Sequence, residues 1–165
     1  RSSFLFLHHV HWYKKATELD NCDACNALGD IYYYGMDIES DEKLGGSYYL
    51  KGARLGHKNC CYMVGQFYEY GLVFEKNKQE SFYWYLKAAE SGIADAQNKV
   101  GLAYTNGEVI EKDDTKAVYW YEKAALQGHK EACANLGFCY KFGNGVEKNQ
   151  NLAYEWCKKS ELGIF

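Results

Sequence analysis

The chain has 165 residues, of which 47% are hydrophobic and 25% charged, a composition typical of a globular domain and not of a disordered or membrane-embedded chain. Lysine and arginine together number 19 and aspartate and glutamate 22, which gives a formal charge of −3. This balance argues against nucleic acid and membrane partners, which need clustered positive charge, and no apolar run is long enough for a membrane span or a signal peptide.

The sequence repeats with a period of 36 residues. A glycine preceded by leucine or valine recurs at Gly29, Gly65, Gly101 and Gly137, and another glycine at Gly35, Gly71, Gly107 and Gly143. The predicted organisation is a single repeat array over 1–165, with a half repeat at 4–21 and full repeats at 24–59, 60–95, 96–131 and 132–163. Because no polar capping helix is evident at either end, we expect the chain to be part of a longer array or multidomain protein.

Each full repeat is predicted to form two helices. In the first repeat, Ala24, Leu28 and Tyr32 make a one-sided helical stripe that ends near Gly35, where a left-handed cap favours glycine. Asp41 then begins the second helix as an N-cap residue. The stripe of that second helix starts from the column Tyr48, Trp84, Trp120 and Trp156. One apolar residue anchors each intervening loop: Ile38, Phe74, Ile110 and Val146.

The glycine in the middle of each first helix predicts a close approach between helices. Glycine inside a helix costs about 0.8–1 kcal/mol relative to alanine, and this cost recurs at Gly29, Gly65, Gly101 and Gly137. A large aromatic side chain from the second helix, lying over the missing Cβ, accounts for it most simply.

The third repeat resembles a Sel-1-like repeat, a relative of the tetratricopeptide repeat. It contains Ala96-x3-Val100-Gly101-x2-Tyr104-x2-Gly107, followed by Asp113-x2-Lys116-Ala117-x2-Trp120-Tyr121. The first repeat departs most from this pattern. Leu44 and Gly45 stand where the pattern usually has lysine and alanine, and Gly52 stands where it has alanine. The resemblance implies an all-α fold, a right-handed α/α superhelical solenoid of helix-turn-helix repeats, that acts as an adaptor or scaffold.

The seven cysteines do not follow the disulfide pattern of the cysteine-rich bacterial branch of this family. Cys25, Cys61 and Cys133 share one column, but the third repeat has Gln97 there, and no pair of columns supplies two cysteines in every repeat. Each cysteine replaces a small or apolar residue, as a buried free thiol does. We therefore expect reduced thiols and a cytoplasmic location.

Three groups of residues could suggest chemistry, and each has a simpler structural interpretation. They are Cys22, Cys25, Cys60 and Cys61 with His57 as a zinc site, His8, His9 and His11 as a metal cluster, and Ser40-x2-Lys43 as a hydrolase motif. The cysteine pairs are too far apart for a typical zinc site, the histidines suit a solvated helix, and the companions of the serine–lysine motif are missing. We predict no metal, no cofactor and no enzymatic activity.

The resemblance implies that the first helices line a concave binding face, and the columns that change from repeat to repeat are the candidates for partner binding. They are Asp23, Asn26, Asp30 and Tyr33; Asn59, Tyr62, Gln66 and Glu69; Asp95, Asn98, Leu102 and Thr105; and Glu131, Phe138 and Lys141. Their character changes from acidic and amide-rich to apolar along the chain. The predicted partner is a protein or peptide that is basic at one end and apolar at the other.

A second interpretation comes from a different class of function. In it, the chain is a regulatory or targeting segment of a larger signalling enzyme, such as a kinase, whose catalytic domain lies outside this sequence. The open reading frame on either side of the chain would distinguish the two.

Overall fold

The computed structural model describes residues 2–162, with the side chains of residues 8–161. Over this range the chain forms nine α-helices and no strand. They are α1 (Ser2–Glu18), α2 (Cys22–Tyr34), α3 (Glu42–Arg54), α4 (Lys58–Tyr70), α5 (Lys78–Glu90), α6 (Ala94–Asn106), α7 (Asp114–Ala125), α8 (Lys130–Phe142) and α9 (Gln150–Leu162). The predicted half repeat corresponds to α1, and each full repeat to one of the four following helix pairs.

The helices divide into two compact units, Arg1–Lys87 and Ala88–Phe165. Within the first unit α2 packs against α1 and α3, and α3 also packs against α4. Within the second unit α7 packs against α6 and α8, and α8 also packs against α9. The single array over 1–165 stays a prediction.

The predicted ends of the helices are confirmed. Asp41 and Asp113 accept hydrogen bonds from the backbone N–H groups of Leu44 and Lys116, at 2.9 and 3.0 Å. Asn77 and Asn149 cap α5 and α9 in the same way. All four first helices end at a glycine in the left-handed region, with φ of 69° at Gly35, 70° at Gly71, 68° at Gly107 and 78° at Gly143.

The glycines inside the first helices make the predicted close approach. A Cβ on Gly29, Gly65 or Gly101 would come within 2.8, 2.7 or 2.5 Å of a tyrosine ring, that of Tyr49, Tyr85 or Tyr121 respectively. In the fourth repeat the Sγ atom of Cys157 takes this place, 2.7 Å from a Cβ built on Gly137. The aromatic contact is therefore confirmed in three repeats and replaced by a thiol in the fourth.

The contacting tyrosines lie one residue after the column that was predicted to begin the apolar stripe of the second helix. Tyr49, Tyr85 and Tyr121 are only 1%, 4% and 2% exposed. In the preceding column Trp84 is buried, whereas Tyr48, Trp120 and Trp156 are half-buried. The deepest position of the second helix is thus shifted by one residue from the predicted one, because the glycine admits a ring directly above the first helix.

The loop anchors pack as predicted. Ile38, Phe74, Ile110 and Val146 are all half-buried. Ile38 packs against the core cluster of Val10, Leu28 and Ile31, and the Phe74 ring lies 5.0 Å from that of Tyr68.

Two loops also press on the second helix of the preceding repeat. A Cβ on Gly46 in α3 would lie 2.4 Å from Cγ1 of Val73, which belongs to the loop after α4. In the other unit, a Cβ on Gly145 would lie 2.2 Å from the backbone oxygen of Asp114. Neighbouring repeats therefore fit together through loop-to-helix contacts as well as helix-to-helix contacts.

Candidate partner-binding site

The candidate residues on α2 are engaged in hydrogen bonds within the first unit. Asp30 accepts from the Tyr49 hydroxyl and from Nδ2 of Asn26, the latter at 3.1 Å. Oδ1 of Asn26 accepts from the Cys60 thiol at 3.6 Å. Both polar atoms of the Asn26 side-chain amide are therefore hydrogen-bonded. Asp30 also accepts the hydrogen bond from Tyr49, the tyrosine that covers Gly29.

The candidate residues on α4 form a similar set. Nε2 of Gln66 donates to the Tyr62 hydroxyl at 3.4 Å, and the Tyr85 hydroxyl donates to Glu69 at 2.5 Å. Burial, followed by this bond to Glu69, raises the pKa of Tyr85. Asn59, at the start of the helix, is exposed.

Two of the acidic candidates contact a histidine that directly precedes the next first helix. Nε2 of His129 lies 3.1 Å from Oδ1 of Asp95, and Nε2 of His57 lies 3.4 Å from Oδ1 of Asp23. The other ring nitrogen of each histidine accepts from the backbone of its own helix, so His57 and His129 are the N-caps of α4 and α8. Because Nδ1 is an acceptor, Nε2 carries the proton that points at the carboxylate.

A pocket of about 130 Å³ lies in the second unit, among α6, α7 and α8. Three candidate residues from two repeats line it: Leu102 and Thr105 from α6, and Phe138 from α8. The rest of the lining is Asp114, Tyr121, Asn135, Cys139 and Asn144. The structure thus brings together candidates that the sequence could place only on a common face.

The hydroxyl groups in this pocket are bonded to each other. The oxygen of Tyr121 lies 2.9 Å from Oγ1 of Thr105, which also donates to the carbonyl oxygen of Gly101 at 3.1 Å. Burial raises the pKa of Tyr121 to about 12, so the phenol is neutral at physiological pH. The pocket therefore offers apolar surface beside hydroxyls that are already paired.

Two amide side chains connect α6 and α8 beside the pocket. Nδ2 of Asn135 donates to Oδ1 of Asn98 at 3.0 Å. Asn98 is 2% exposed, and Asn135 is half-buried. Asn135 was not among the predicted site residues, although its column also changes from repeat to repeat, with Ala27, Met63 and Lys99 at the equivalent positions.

The remaining candidates lie apart from the pocket lining. Glu131 and Lys141 are exposed on α8, and Nζ of Lys141 lies 5.4 Å from the centroid of the Phe142 ring. The Phe142 ring lies 4.4 Å from that of Phe138, and both are about half exposed. In the first unit the Tyr33 ring packs against Tyr49 and Phe67.

Three of the five buried cysteines, Cys60, Cys61 and Cys133, act as hydrogen-bond donors. The thiols of Cys61 and Cys133 donate to backbone oxygens eight residues earlier, at 3.6 and 3.7 Å, and burial raises the pKa of both. All seven cysteines lie within the described residues, and all are free thiols.

Other chemical candidates lie separately. Among residues 8–161 no three or more histidine, cysteine or acidic side chains stand close enough together to hold a metal ion. His8, His9, His11 and Ser40 are exposed. Of the described helices, none combines the length and apolar character that crossing a membrane requires.

Comparison with protein families gives a match to the Sel1 repeat over residues 10–21, 22–57, 58–93, 94–129 and 130–161. No curated protein matches the sequence.

Solved structures that are similar to this chain include the following three. A protective antigen of uropathogenic Escherichia coli strains with an SLR fold is 27% identical, with a TM-score of 0.82 over 92% of this chain and 32% of that one. A Sel1 repeat protein from Oxalobacter formigenes is 30% identical, with a TM-score of 0.79 over 96% and 68% of the two chains. Cysteine rich protein B of Helicobacter pylori is 29% identical, with a TM-score of 0.55 over 72% and 85%.

These similarities confirm the predicted fold class, an all-α repeat solenoid. The chain spans 32% of the length of the Escherichia coli protein.

Proposed function

The chain belongs to the Sel1 repeat family, and on that premise we propose that it is a scaffold that binds a peptide or protein partner on its first helices. Proteins of this family are generally non-catalytic scaffolds for protein interactions.

The observation that carries the proposal is the pocket among α6, α7 and α8. Leu102, Thr105 and Phe138 occupy columns that vary between repeats, and they meet in one pocket. Residues needed only for the fold would recur with the period, as the central glycines do. Variable residues that converge on an accessible concavity are better explained by a partner.

The charge of the first helices supports a partner that carries lysine or arginine. Asp23, Asp95 and Glu131 are exposed, one near the start of each of three first helices. A basic segment would be attracted to these carboxylates, and phosphate groups would be repelled. The exposed rings of Phe138 and Phe142 favour an apolar segment near α8.

We place this scaffold in the cytoplasm as part of the same proposal. Seven free thiols, five of them buried, are typical of a protein in a reducing compartment. The alternative of a regulatory segment in a signalling enzyme has no observation in its favour.

The test starts from a displayed peptide library, which supplies partners of known sequence. Selected peptides should bind Phe138→Ala and Tyr62→Ala variants more weakly than the unaltered chain, and more weakly at high salt than at low salt. Lys87→Ala, on the second helix α5, is the control and should bind as the unaltered chain does. Equal losses in all three variants, or binding indifferent to salt, would contradict the proposal.

A further inference from the structure

Cys22 and Cys25 form a Cys-x-x-Cys sequence that the proposed partner binding does not use. Cys22 is the first residue of α2, directly after the N-cap Asn21, and Cys25 lies one turn further on. Cys22 is half-buried, whereas Cys25 is 0% exposed. The pair therefore places a thiol that a reagent can reach beside a thiol that it cannot reach. The first repeat alone has both, because the other three have lysine or alanine at the position of Cys22.

The helix brings the two cysteines within the range of a disulfide bond. Residues three apart in an α-helix lie on the same face, with Cα atoms about 5 Å apart. A disulfide needs a Cα separation of about 4.4–6.8 Å and draws the Cβ atoms to about 4 Å, which requires a small adjustment of the first turn. The first turn can make this adjustment because its N–H groups are not bonded within the helix.

The Cys25 thiol lacks the hydrogen bond that its counterparts make. The thiols of Cys61 and Cys133 donate to carbonyl oxygens eight residues earlier, and the corresponding carbonyl for Cys25 is that of Thr17. Nζ of Lys51 donates to this carbonyl instead. Within the described part of the chain no hydrogen bond fixes the Cys25 thiol. Its sulfur atom is therefore free to turn toward the start of α2.

Burial and access divide the two thiols between the two steps of a disulfide exchange. Burial raises the pKa of the Cys25 thiol, and the Lys51 ammonium group opposes this rise. A buried thiol is inert toward reagents in solution, yet it attacks a sulfur atom held next to it because that reaction is intramolecular. Cys22 suits the first step, since a reagent can reach it, and Cys25 suits the second.

We propose that Cys22 and Cys25 are a reversible oxidation site that closes to a disulfide when the chain meets a low-molecular-weight disulfide such as glutathione disulfide. In the first step the Cys22 thiolate attacks one sulfur of the reagent, and one thiolate of the reagent leaves. In the second step the Cys25 thiolate attacks Sγ of Cys22, which forms the bond between the two cysteines and releases the second thiolate. Two cysteine thiols are oxidised, their protons pass to the two released thiolates, and one external disulfide is reduced.

Closure of this site acts on the contact between the first two repeats. The disulfide encloses Asp23, whose Oδ1 lies 3.4 Å from Nε2 of His57, the N-cap of α4. The same turn carries the cap of α2, in which the Asn21 side chain accepts from the Ala24 N–H group at 2.8 Å. In a reducing compartment the site stays open, and a more oxidising thiol pool closes it. The oxidation state is thereby coupled to the pair that joins α2 to α4.

The test is oxidation of the folded chain with glutathione disulfide, followed by alkylation of the remaining thiols, tryptic digestion without reductant and mass spectrometry. Because trypsin cleaves after lysine and arginine, Cys22 and Cys25 lie together in peptide 16–43, whereas Cys60 and Cys61 lie in peptide 59–76. The expected product is peptide 16–43 without alkyl groups and lighter by two hydrogen atoms than its reduced form. Dithiothreitol should return the peptide to the reduced form.

Three serine variants separate the roles of the thiols. Cys25→Ser removes the thiol of the second step and should stall the reaction with glutathione attached to Cys22. Cys22→Ser removes the accessible thiol and should leave Cys25 unmodified. Cys157→Ser, at the exposed cysteine of α9, is the matched control and should leave the oxidation of peptide 16–43 unchanged. Circular dichroism of each variant checks that it is folded.

Three outcomes would overturn this proposal. The first is a peptide 16–43 that stays reduced while the exposed Cys157 reacts with the reagent. The second is a product that links peptides 16–43 and 59–76, which would show a bond between Cys25 and Cys60 instead. The third is oxidation of peptide 16–43 only after the chain is unfolded in urea. None of these results depends on the peptide-library test, so the oxidation site and the proposed function stand or fall separately.

Discussion

The side-chain amide of Gln97 donates to the carbonyl oxygen of Ala89 at 3.1 Å, in the position where Cys61 and Cys133 donate to the carbonyls of Ala53 and Ala125. Each acceptor lies in the last turn of a second helix, where carbonyl oxygens have no partner within the helix. Glutamine and cysteine thus serve here as interchangeable buried donors. In the second, third and fourth repeats this column is explained by the hydrogen bond, without disulfide or metal chemistry.

We expect the thermal midpoint to be nearly unchanged by dithiothreitol or by EDTA. The thiols are free, and their bonds are to backbone oxygens. A structural zinc ion would contribute about 10–16 kcal/mol, so its removal would be obvious. The measurement is unfolding followed by circular dichroism with and without each reagent, and a drop of several degrees with either would refute the expectation.

Gly101→Leu should destabilise the protein by about 1–3 kcal/mol or more, because the new side chain would overlap the Tyr121 ring. Lys112→Ala is the control, since Lys112 is 59% exposed and its ion pair with Asp114 lies on the surface. Its effect should stay within about ±0.5 kcal/mol. Denaturant unfolding measures both, and a neutral Gly101→Leu would show that the helix-pair geometry is wrong.

Gly52 and Cys60 should behave as a coupled pair. A Cβ on Gly52 would lie 2.6 Å from Sγ of Cys60, so Gly52→Ala alone should cost about 1–3 kcal/mol. The double variant with Cys60→Ala recreates the alanine pair found at Ala88 and Ala96, and at Ala124 and Ala132. We expect it to recover much of the loss, with a coupling of about 0.5–3 kcal/mol in a double-mutant cycle. Strictly additive effects would contradict this relationship.

The free energy of unfolding should fall as the pH rises from about 10 to about 12. Burial raises the pKa of Tyr121 to about 12, whereas an unfolded tyrosine ionises near about 10. In that range the unfolded chain has lost a proton that the native chain keeps, and below it both states keep the proton. Tyr121→Phe should make the fall shallower, and Tyr154→Phe, at an exposed position, should not. Chemical denaturation at a series of pH values tests this, and equal slopes in both variants would contradict it.

The sequence predicted the helix pairs and their close approach because both follow the period. The cost of a central glycine such as Gly101 recurs four times, which indicates a neighbour over it. The sequence did not identify Tyr121 as that neighbour. Two adjacent columns of the second helix are aromatic, and only the rotation of that helix about its axis decides which of them faces the glycine. The histidine caps of α4 and α8 were missed because histidine is not among the residues usually expected at an N-cap.

The candidate site was predicted less completely, for a physical reason. Leu102, Thr105 and Phe138 were assigned to a common face by the repeat columns together with the family resemblance. The bond between Asn98 and Asn135 depends on how α6 and α8 are placed in space, and it makes Asn98 almost inaccessible in a position expected to be open.

The contact between Val73 and Gly46 has a consequence for the order of the repeats. Val73 fills the space left by Gly46, whereas the corresponding loop position of the fourth repeat is Gly145, which lies too close to the Asp114 backbone to accept valine. Exchanging these two loops would create a clash at one site and a void at the other. The repeats share a period but are not interchangeable modules, so a shuffled or duplicated copy would need compensating changes in the repeat before it.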